Sequence, residues 1–456
     1  MSQAGNDQGA NIIGRLERIP FTHTHRNFIF MVAGGEFVES MMLLGNGAML
    51  AIMAHVLHLS AAESAYIVPS AFFVGEFVGS FSIGYLADRF GRRTLFSWDL
   101  LIFAAGLIVA GFLSHPLWIA LFIFIAGIGV GGEFPLVDTY TAEIFPGKQR
   151  GKRIASVYTL AVLAAPILVG MAYLVSHPEP GAYSWRALFW IIGVLALIAW
   201  YFRLRIPESP RWLAAQGRHD EAEQIVASME QQALQQYNLT ELPEPRLRLA
   251  SNLQRGKWRE LFGPQLRSRT IMMLVFEFFQ TGIFYGFTAL APTFLVHKGI
   301  TLAHSLLFTM IIFLGFFLGS IVNMSFIDKV DRKWGIVGTT ILAGIFGTLF
   351  ATANSETATV IFGFLTAFCL WNFSNFEHTF ESELFPTRVR SMAAGTVYSV
   401  SRISTSLWVA IIATYFLPKG LVPTFTFIWF FVLVVVLAVG IWGPKTVGRH
   451  LEEIAH

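Results

Sequence analysis

Gly84-Tyr85-Leu86-Ala87-Asp88-Arg89-Phe90-Gly91-Arg92-Arg93 is a charged stretch between two apolar runs, and a degenerate copy, Asp328-Lys329-Val330-Asp331-Arg332-Lys333, separates two other apolar runs much further along. A short acidic–basic loop in the same setting twice points to a chain made of two similar halves. The residue types have distinct uses in such a loop. Gly84 permits close approach of helices, and Gly91 punctuates the turn. Asp88 can sit against the positive N-terminus of a helix. Arg89, Arg92 and Arg93 can pair with acids at helix ends.

The apolar runs around these loops are long. Charged residues make up only 13% of the 456 residues, too few to cover a soluble surface, while 54% are hydrophobic and Phe occurs 44 times. The single cysteine, Cys369, excludes a disulfide framework. A bilayer core of ~30 Å is crossed by ~20 apolar residues in a helix. That template places spans near 28–54, 66–87, 95–113, 117–142, 154–176, 186–205, 270–296, 303–327, 334–353, 357–382, 391–417 and 421–443. Numbered one to twelve, they predict an all-α membrane protein of two pseudo-symmetric six-helix halves.

The basic residues support this count. With the N-terminus inside, 28 of the 32 Lys and Arg fall on the cytoplasmic side. Only Arg186, Lys298 and Lys419 fall outside, and Arg402 alone lies within a span. Such a bias follows the positive-inside rule. The expected organisation is a cytoplasmic segment 1–27, a first half 28–205, a cytoplasmic linker 206–268, a second half 269–443 and a tail 444–456, with both termini inside a cell (inner) membrane. No cleavable leader precedes the first span. Ile12, Ile13, Leu16 and Ile19 recur at helical spacing beside Arg15 and Arg18. They suggest an amphipathic helix on the membrane surface, or else a solvated tail. The linker carries a surface helix from His219 to Gln236, rich in Ala, Glu and Gln.

Further motifs give the pattern a family likeness. Glu143, Arg150 and Gly151 end helix four, and Glu383-Leu384-Phe385-Pro386-Thr387-Arg388-Val389-Arg390 ends helix ten in a similar way. Pro207-Glu208-Ser209-Pro210-Arg211 follows helix six, and Pro444-Lys445-Thr446-Val447-Gly448-Arg449 follows helix twelve. Together with the 84–93 loop, these resemble the major facilitator superfamily, in its sugar-porter and organic-ion branch. The opening Arg15-Leu16-Glu17-Arg18-Ile19-Pro20 is similar to that of bacterial metabolite–proton symporters. The resemblance implies the major facilitator fold. It also implies that Gly84, Asp88, Arg89, Gly91, Arg92, Arg93, Glu143, Arg150, Asp328, Asp331, Arg332, Glu383 and Arg390 form a cytoplasmic latch of the outward-facing state. The plainer alternative is a topology anchor. The chain also departs from the pattern. Helix seven has Glu277-Phe278-Phe279-Gln280-Thr281-Gly282 in place of the paired glutamines of sugar porters, and Ile123 replaces the usual Arg of helix four. Pro166 and Gly170 do not complete the pattern of drug–proton antiporters.

A charge at mid-bilayer costs at least ~2.5–3.5 kcal/mol, so each one calls for a reason. Arg402 in helix eleven suits a clamp on an anionic substrate, as in the organic-anion transporters it resembles; alternatively it pairs with an intramembrane Glu. Glu39 stands where relatives carry the first of two acidic residues, the second being Met42 here. A carboxylate in a low-dielectric interior can load and release a proton near neutral pH. Glu39, Glu76, Glu133, Glu377, His378 and Glu381 are therefore proton-coupling candidates, although an acid in a wet cavity needs no coupling role. Arg402, Glu277, Gln280, Tyr285, Trp371, Asn372 and Asn375 are substrate-binding candidates. The helix-ten set could equally be a packing network.

The expected function is a secondary active transporter, not an enzyme, moving a small organic anion with protons by alternating access. A sugar–proton symporter is the near alternative, and a non-transporting sensor the alternative of another class. The expected partners are a small-molecule substrate, protons and the lipid bilayer, with the chain working as a monomer. No cofactor, metal or nucleic acid is expected, and the proton gradient is the driving force.

Overall fold

The computed structural model describes residues 11–445 apart from 13, 61–62, 65, 146–149, 178, 245–257, 328 and 386–388. Among the described residues regular structure is helical throughout. Ten helices are long and apolar enough to cross a membrane, and two shorter apolar helices, Ala71–Ile83 and Pro116–Gly131, complete a set of twelve. Helix one is His23–Leu57, two Ala71–Phe90, three Arg92–Phe112, and six Ser184–Arg203. Helix four runs Pro116–Gly131 and continues as Glu133–Ile144; helix five runs Arg150–Ala161 and Ala164–Val175. Helix seven is Arg267–Thr288 followed by Ala291–His297, eight Leu302–Phe326, nine Arg332–Thr352, ten Glu356–Leu384, eleven Arg390–Ile411 and twelve Leu421–Leu437.

Lipid tails are as apolar as leucine, so these helices associate by close packing rather than by the hydrophobic effect. Glycine supplies the closeness. Gly75 and Gly79 of helix two lie against the backbone of helix four, and Gly127 and Gly131 return the contact; a Cβ on any of them would strike a carbonyl oxygen. The second half repeats the device, with Gly315 and Gly319 of helix eight against the carbonyls of Phe364 and Phe368 in helix ten. Large apolar side chains such as Phe81, Phe112 and Leu174 point outward instead, as a lipid-facing surface requires. Between the halves, helix two packs on eleven and helix five on eight. These contacts include light polar links, Ser80 to Ser399 at 3.2 Å and Thr159 to Ser320 at 3.1 Å.

The two charged loops make matching staples. Arg92 pairs with Glu143 at 3.2 Å, and Arg332 pairs with Glu383 at 3.3 Å. Arg93 donates to the carbonyl of Leu204 at the end of helix six, and Lys333 donates to that of Gly443 beyond helix twelve, at 2.6 and 3.0 Å. Each loop thus joins the third, fourth and sixth helices of its own half. Gly91 starts helix three at φ +97°, a conformation that suits glycine. Glu208 then accepts from the amides of Arg92 and Arg93. In the second half Asp331 caps helix nine itself, accepting from the amide of Lys333. These ion pairs are internal to each half. Arg89 is exposed and lies over the ring of Phe90. The side chains of Asp88, Arg150 and Arg390, the surroundings of Gly84, and Asp328 altogether lie outside the described residues.

The N-terminal segment is not free to lie on the membrane. Ile12, Leu16 and Ile19 are buried in one cluster with Ala222, Val226, Met229 and Ala233 of the linker helix His219–Tyr237. Arg15 and Arg18 both hydrogen-bond Glu230. The apolar ridge and its flanking arginines are therefore taken up by protein. Burial alone would push the Glu230 carboxyl up, but the bonds from Arg15 and Arg18 outweigh it and hold the group below the usual glutamate range.

Two outcomes follow. A depressed folded-state value contributes stability above the ordinary glutamate range that is lost as pH falls through the folded value. Proteolysis of the N-terminal segment should therefore accelerate below about pH 4, and Glu230→Gln should remove that dependence; a pH-flat cleavage rate in the wild type contradicts the docking. Second, Gly127→Val should destabilise the first half by at least about 1–3 kcal/mol, because backbone rather than a flexible side chain blocks the added atoms. An unchanged melting temperature in detergent would show that helices two and four can part.

Candidate functional site

Residues of both halves line a central cavity of about 60 Å³, room for a few waters. Glu36 of helix one, Phe134 of helix four and Tyr158 of helix five face it from the first half. Glu277, Gln280 and Tyr285 of helix seven, Trp371, Asn375, Glu377, His378 and Glu381 of helix ten, and Tyr398 and Arg402 of helix eleven face it from the second. The structure therefore brings together every expected substrate-binding residue except Asn372. That side chain is buried and hydrogen-bonded to Asn323 of helix eight at 3.1 Å. It belongs to helix packing, while Asn375, one turn on, reaches the cavity.

Helix seven and helix ten meet at an amide between two acids. Gln280 Nε2 donates to Glu277 at 3.0 Å and to Glu377 at 3.1 Å. Two carboxylates sharing one neutral donor offer spare acceptor capacity for a proton or for ligand hydroxyls. The aromatic walls are interlocked: His378 stacks on Tyr158 with rings 5.7 Å apart and nearly parallel, and Trp371 packs on Phe284 and Phe316.

Arg402 is 5% exposed. Its Nη1 donates to the Tyr285 hydroxyl at 2.7 Å and to Glu76 of helix two at 3.3 Å. The guanidinium lies 4.1 Å from the centroid of the Tyr398 ring. Its Nε is buried without a hydrogen-bond partner among the described residues. Glu76 is fully buried, stays out of the cavity wall, and has one oxygen, Oε1, without a partner. Arg402 and Glu76 thus form an ion pair across the two halves, made at one oxygen and one nitrogen.

A second buried arginine was not visible in the sequence. Arg203 falls at the end of helix six among basic cytoplasmic residues, yet its side chain is wholly buried. Its Nη1 donates to Glu133 Oε2 at 2.8 Å, to the carbonyl of Phe96 at 3.0 Å and to Asp99 at 3.3 Å, while Nη2 donates to Glu133 Oε1. It also lies 3.7 Å from the centroid of the Phe96 ring. Gly35 makes this possible, since a Cβ there would overlap the guanidinium. The available signals were Asp99 inside helix three and the bare Gly34-Gly35 pair beside Glu36. Glu133 is consequently committed to a forked ion pair. Carboxylate oxygens of Glu36, Glu39 and Glu133 lie within 4.8 Å of one another. Glu39 is buried outside the cavity wall, and neither of its oxygens has a hydrogen-bond partner among the described residues.

Removing one partner of a buried ion pair strands the other. Arg203→Met should therefore destabilise the protein by about 3–5 kcal/mol, and adding Glu133→Gln and Asp99→Asn should restore most of the loss. Thermal unfolding of the single and triple variants checks this; equal stability of wild type and Arg203→Met would contradict it.

Comparison with known proteins places this geometry. The chain is 26% identical to the niacin transporter NiaP of Acinetobacter baylyi, covering 97% of this chain and 99% of the relative. It is 26% identical to the inner membrane metabolite transport protein YdjE of Escherichia coli, over 98% and 99% of the two chains. It is 28% identical to the glucose transporter GlcP of Staphylococcus epidermidis, over 90% and 92%. Among solved structures it shares the fold of the xylose transporter XylE of E. coli in a partially occluded inward-open conformation. The TM-score is 0.73, with 18% identity, over 93% of this chain and 99% of the other. The sugar (and other) transporter family matches residues 28–456, and the chain belongs to that family of major facilitator transporters: a multi-pass membrane transporter of sugars or other metabolites, not an enzyme.

Proposed function

We propose that the protein is a proton-coupled symporter of a small polar metabolite bearing a carboxylate. One observation carries the reading, the unequal engagement of Arg203 and Arg402, the two most deeply buried arginines among the described residues. Arg203 is held by a forked carboxylate, a second acid, a carbonyl and a ring. Arg402 lines the cavity with one 3.3 Å carboxylate contact and a phenol, whereas Arg203 does not line it; the Nε of each is buried without an acceptor among the described residues. A guanidinium presents a planar fork suited to a carboxylate, so the open edge of Arg402 is complementary to an organic anion. Proton coupling is supported by carboxyl groups at Glu39, Glu76, Glu277 and Glu377, all buried within the membrane. The bias of basic residues supports a cell (inner) membrane location with both termini and the 206–268 linker cytoplasmic. Because one chain supplies both halves of the cavity, a monomer suffices.

A neutral sugar is the second reading. The Glu277–Gln280–Glu377 array, Asn375 and the Trp371 face favour it, since hydroxyls donate well to such acceptors, and relatives include a glucose transporter. Binding of nicotinate, benzoate, gluconate, xylose and glucose to purified protein in nanodiscs separates the two. On the carboxylate reading, Arg402→Lys weakens the carboxylates by about tenfold or more, the equivalent of one charge-assisted bond. Affinity for sugars alone, unaffected by Arg402→Lys, would overturn it. Melting temperatures of Arg402→Lys and Arg402→Ala separate lost binding from lost folding.

A further inference from the structure

Arg402 and Glu76 meet across the boundary between the halves, and only one of them faces the cavity. Arg402 lines it; Glu76 sits behind, fully buried, with Oε2 on Arg402 and Oε1 on nothing. A carboxylate arriving in the cavity would therefore approach Arg402 from the open side and contend with Glu76 for the same guanidinium. We infer that Glu76 and the substrate carboxylate compete for Arg402, and that Glu76 binds the transported proton when it is displaced. This rests on the carboxylate reading above.

An unpaired charge at this depth is costly, so the states of the pair differ in how many they leave. With no substrate, Glu76 and Arg402 neutralise each other. With substrate but no proton, the substrate takes the guanidinium and strands an ionised Glu76 that has no other donor among the described residues. With a proton but no substrate, Arg402 keeps only the Tyr285 hydroxyl and the aromatic faces. With both, the substrate carboxylate neutralises Arg402 and Glu76 is an uncharged acid. Only the empty and the fully loaded states leave neither Glu76 nor Arg402 with an unpaired charge. In the exchange, one carboxylate–guanidinium contact breaks, another forms, and one O–H bond is made at Glu76; nothing is oxidised or reduced. Because Glu76 is on helix two and Arg402 on helix eleven, loading also removes a tie between the halves just when they must move.

The groups that bear on Glu76 are few. Arg402 donates to it from helix eleven, and Tyr398 of helix eleven and Tyr285 of helix seven lie within reach of its charge. The acids of helices three and four, Asp99 and Glu133, are engaged by Arg203. Glu39, although buried, lies outside the cavity wall and makes no contact with Arg402, so a substrate has no direct means of displacing it.

The test uses nicotinate as the probe, with the full chain in nanodiscs. Wild-type affinity should fall about tenfold per unit rise in pH over the range in which one proton is linked to binding. A pH indicator in weak buffer should register one proton taken up per nicotinate bound. Glu76→Gln should bind nicotinate with no pH dependence and no proton uptake. In proteoliposomes it should exchange nicotinate but fail to accumulate it on a pH gradient. Glu76→Asp, which keeps a titratable group at shorter reach, should retain the proton uptake if Glu76→Gln does not fold. Proton uptake persisting in Glu76→Gln, or absent from the wild type, overturns the inference and leaves the carboxylate reading standing. If the wild type binds none of nicotinate, benzoate and gluconate, that reading and this inference fall together.

Discussion

A guanidinium keeps its charge at any pH a cell reaches, so burying one obliges the surrounding helices to supply an anion. Among the described residues Arg203 and Arg402 are the two most deeply buried, and the rest of the structure can be read from how differently they are treated. Arg203 is enclosed by Glu133 of helix four and by Asp99 and Phe96 of helix three, all in one half, with Gly35 of helix one cleared to let it through. Both of its terminal nitrogens are engaged, and it does not reach the cavity. Arg402 reaches across to Glu76 in the other half and holds it at one point. The first arrangement fixes a half; the second can be undone.

Alternating access asks for halves that stay rigid and an interface that does not. The charged loops supply the rigidity twice over. Arg92 and Arg93 tie helix three to four and six, and Arg332 and Lys333 tie helix nine to ten and twelve, through the same kinds of bond at nearly the same lengths. The glycine contacts of helix two with four and eight with ten add to it. Across the interface the contacts are of another kind. Single hydroxyl pairs, Ser80 with Ser399 and Thr159 with Ser320, are each worth about 1 kcal/mol. Beside these, the Glu76–Arg402 pair stands out as a strong cross-link.

The frame was legible in the sequence because its causes are local. Twenty apolar residues between basic clusters mean a span wherever they occur, and the 84–93 loop repeated at 328–333 marks the second half. Most of the cavity was legible as well, since helical spacing puts Glu277 with Gln280 and Asn375 with His378. What was not legible depended on rotation and reach. Asn372 and Asn375 look alike in sequence, but one faces helix eight and the other the cavity. Arg203 lies at a helix end, where its position reads as topology; only the fold shows that its long side chain turns inward. The ridge of Ile12, Leu16 and Ile19 is equally suited to lipid or protein, and the acidic linker helix decides for protein.

The account turns on whether ligand and proton arrive at this inter-half pair together. Infrared difference spectroscopy reads it without assuming any flux, because the carbonyl stretch of a protonated carboxylic acid is resolved from that of a carboxylate. Adding nicotinate to the wild type should produce a new protonated-carboxyl band, and the same addition to Glu76→Gln should not. A wild-type spectrum with no change in carboxyl protonation, or a band that persists in Glu76→Gln, would contradict it.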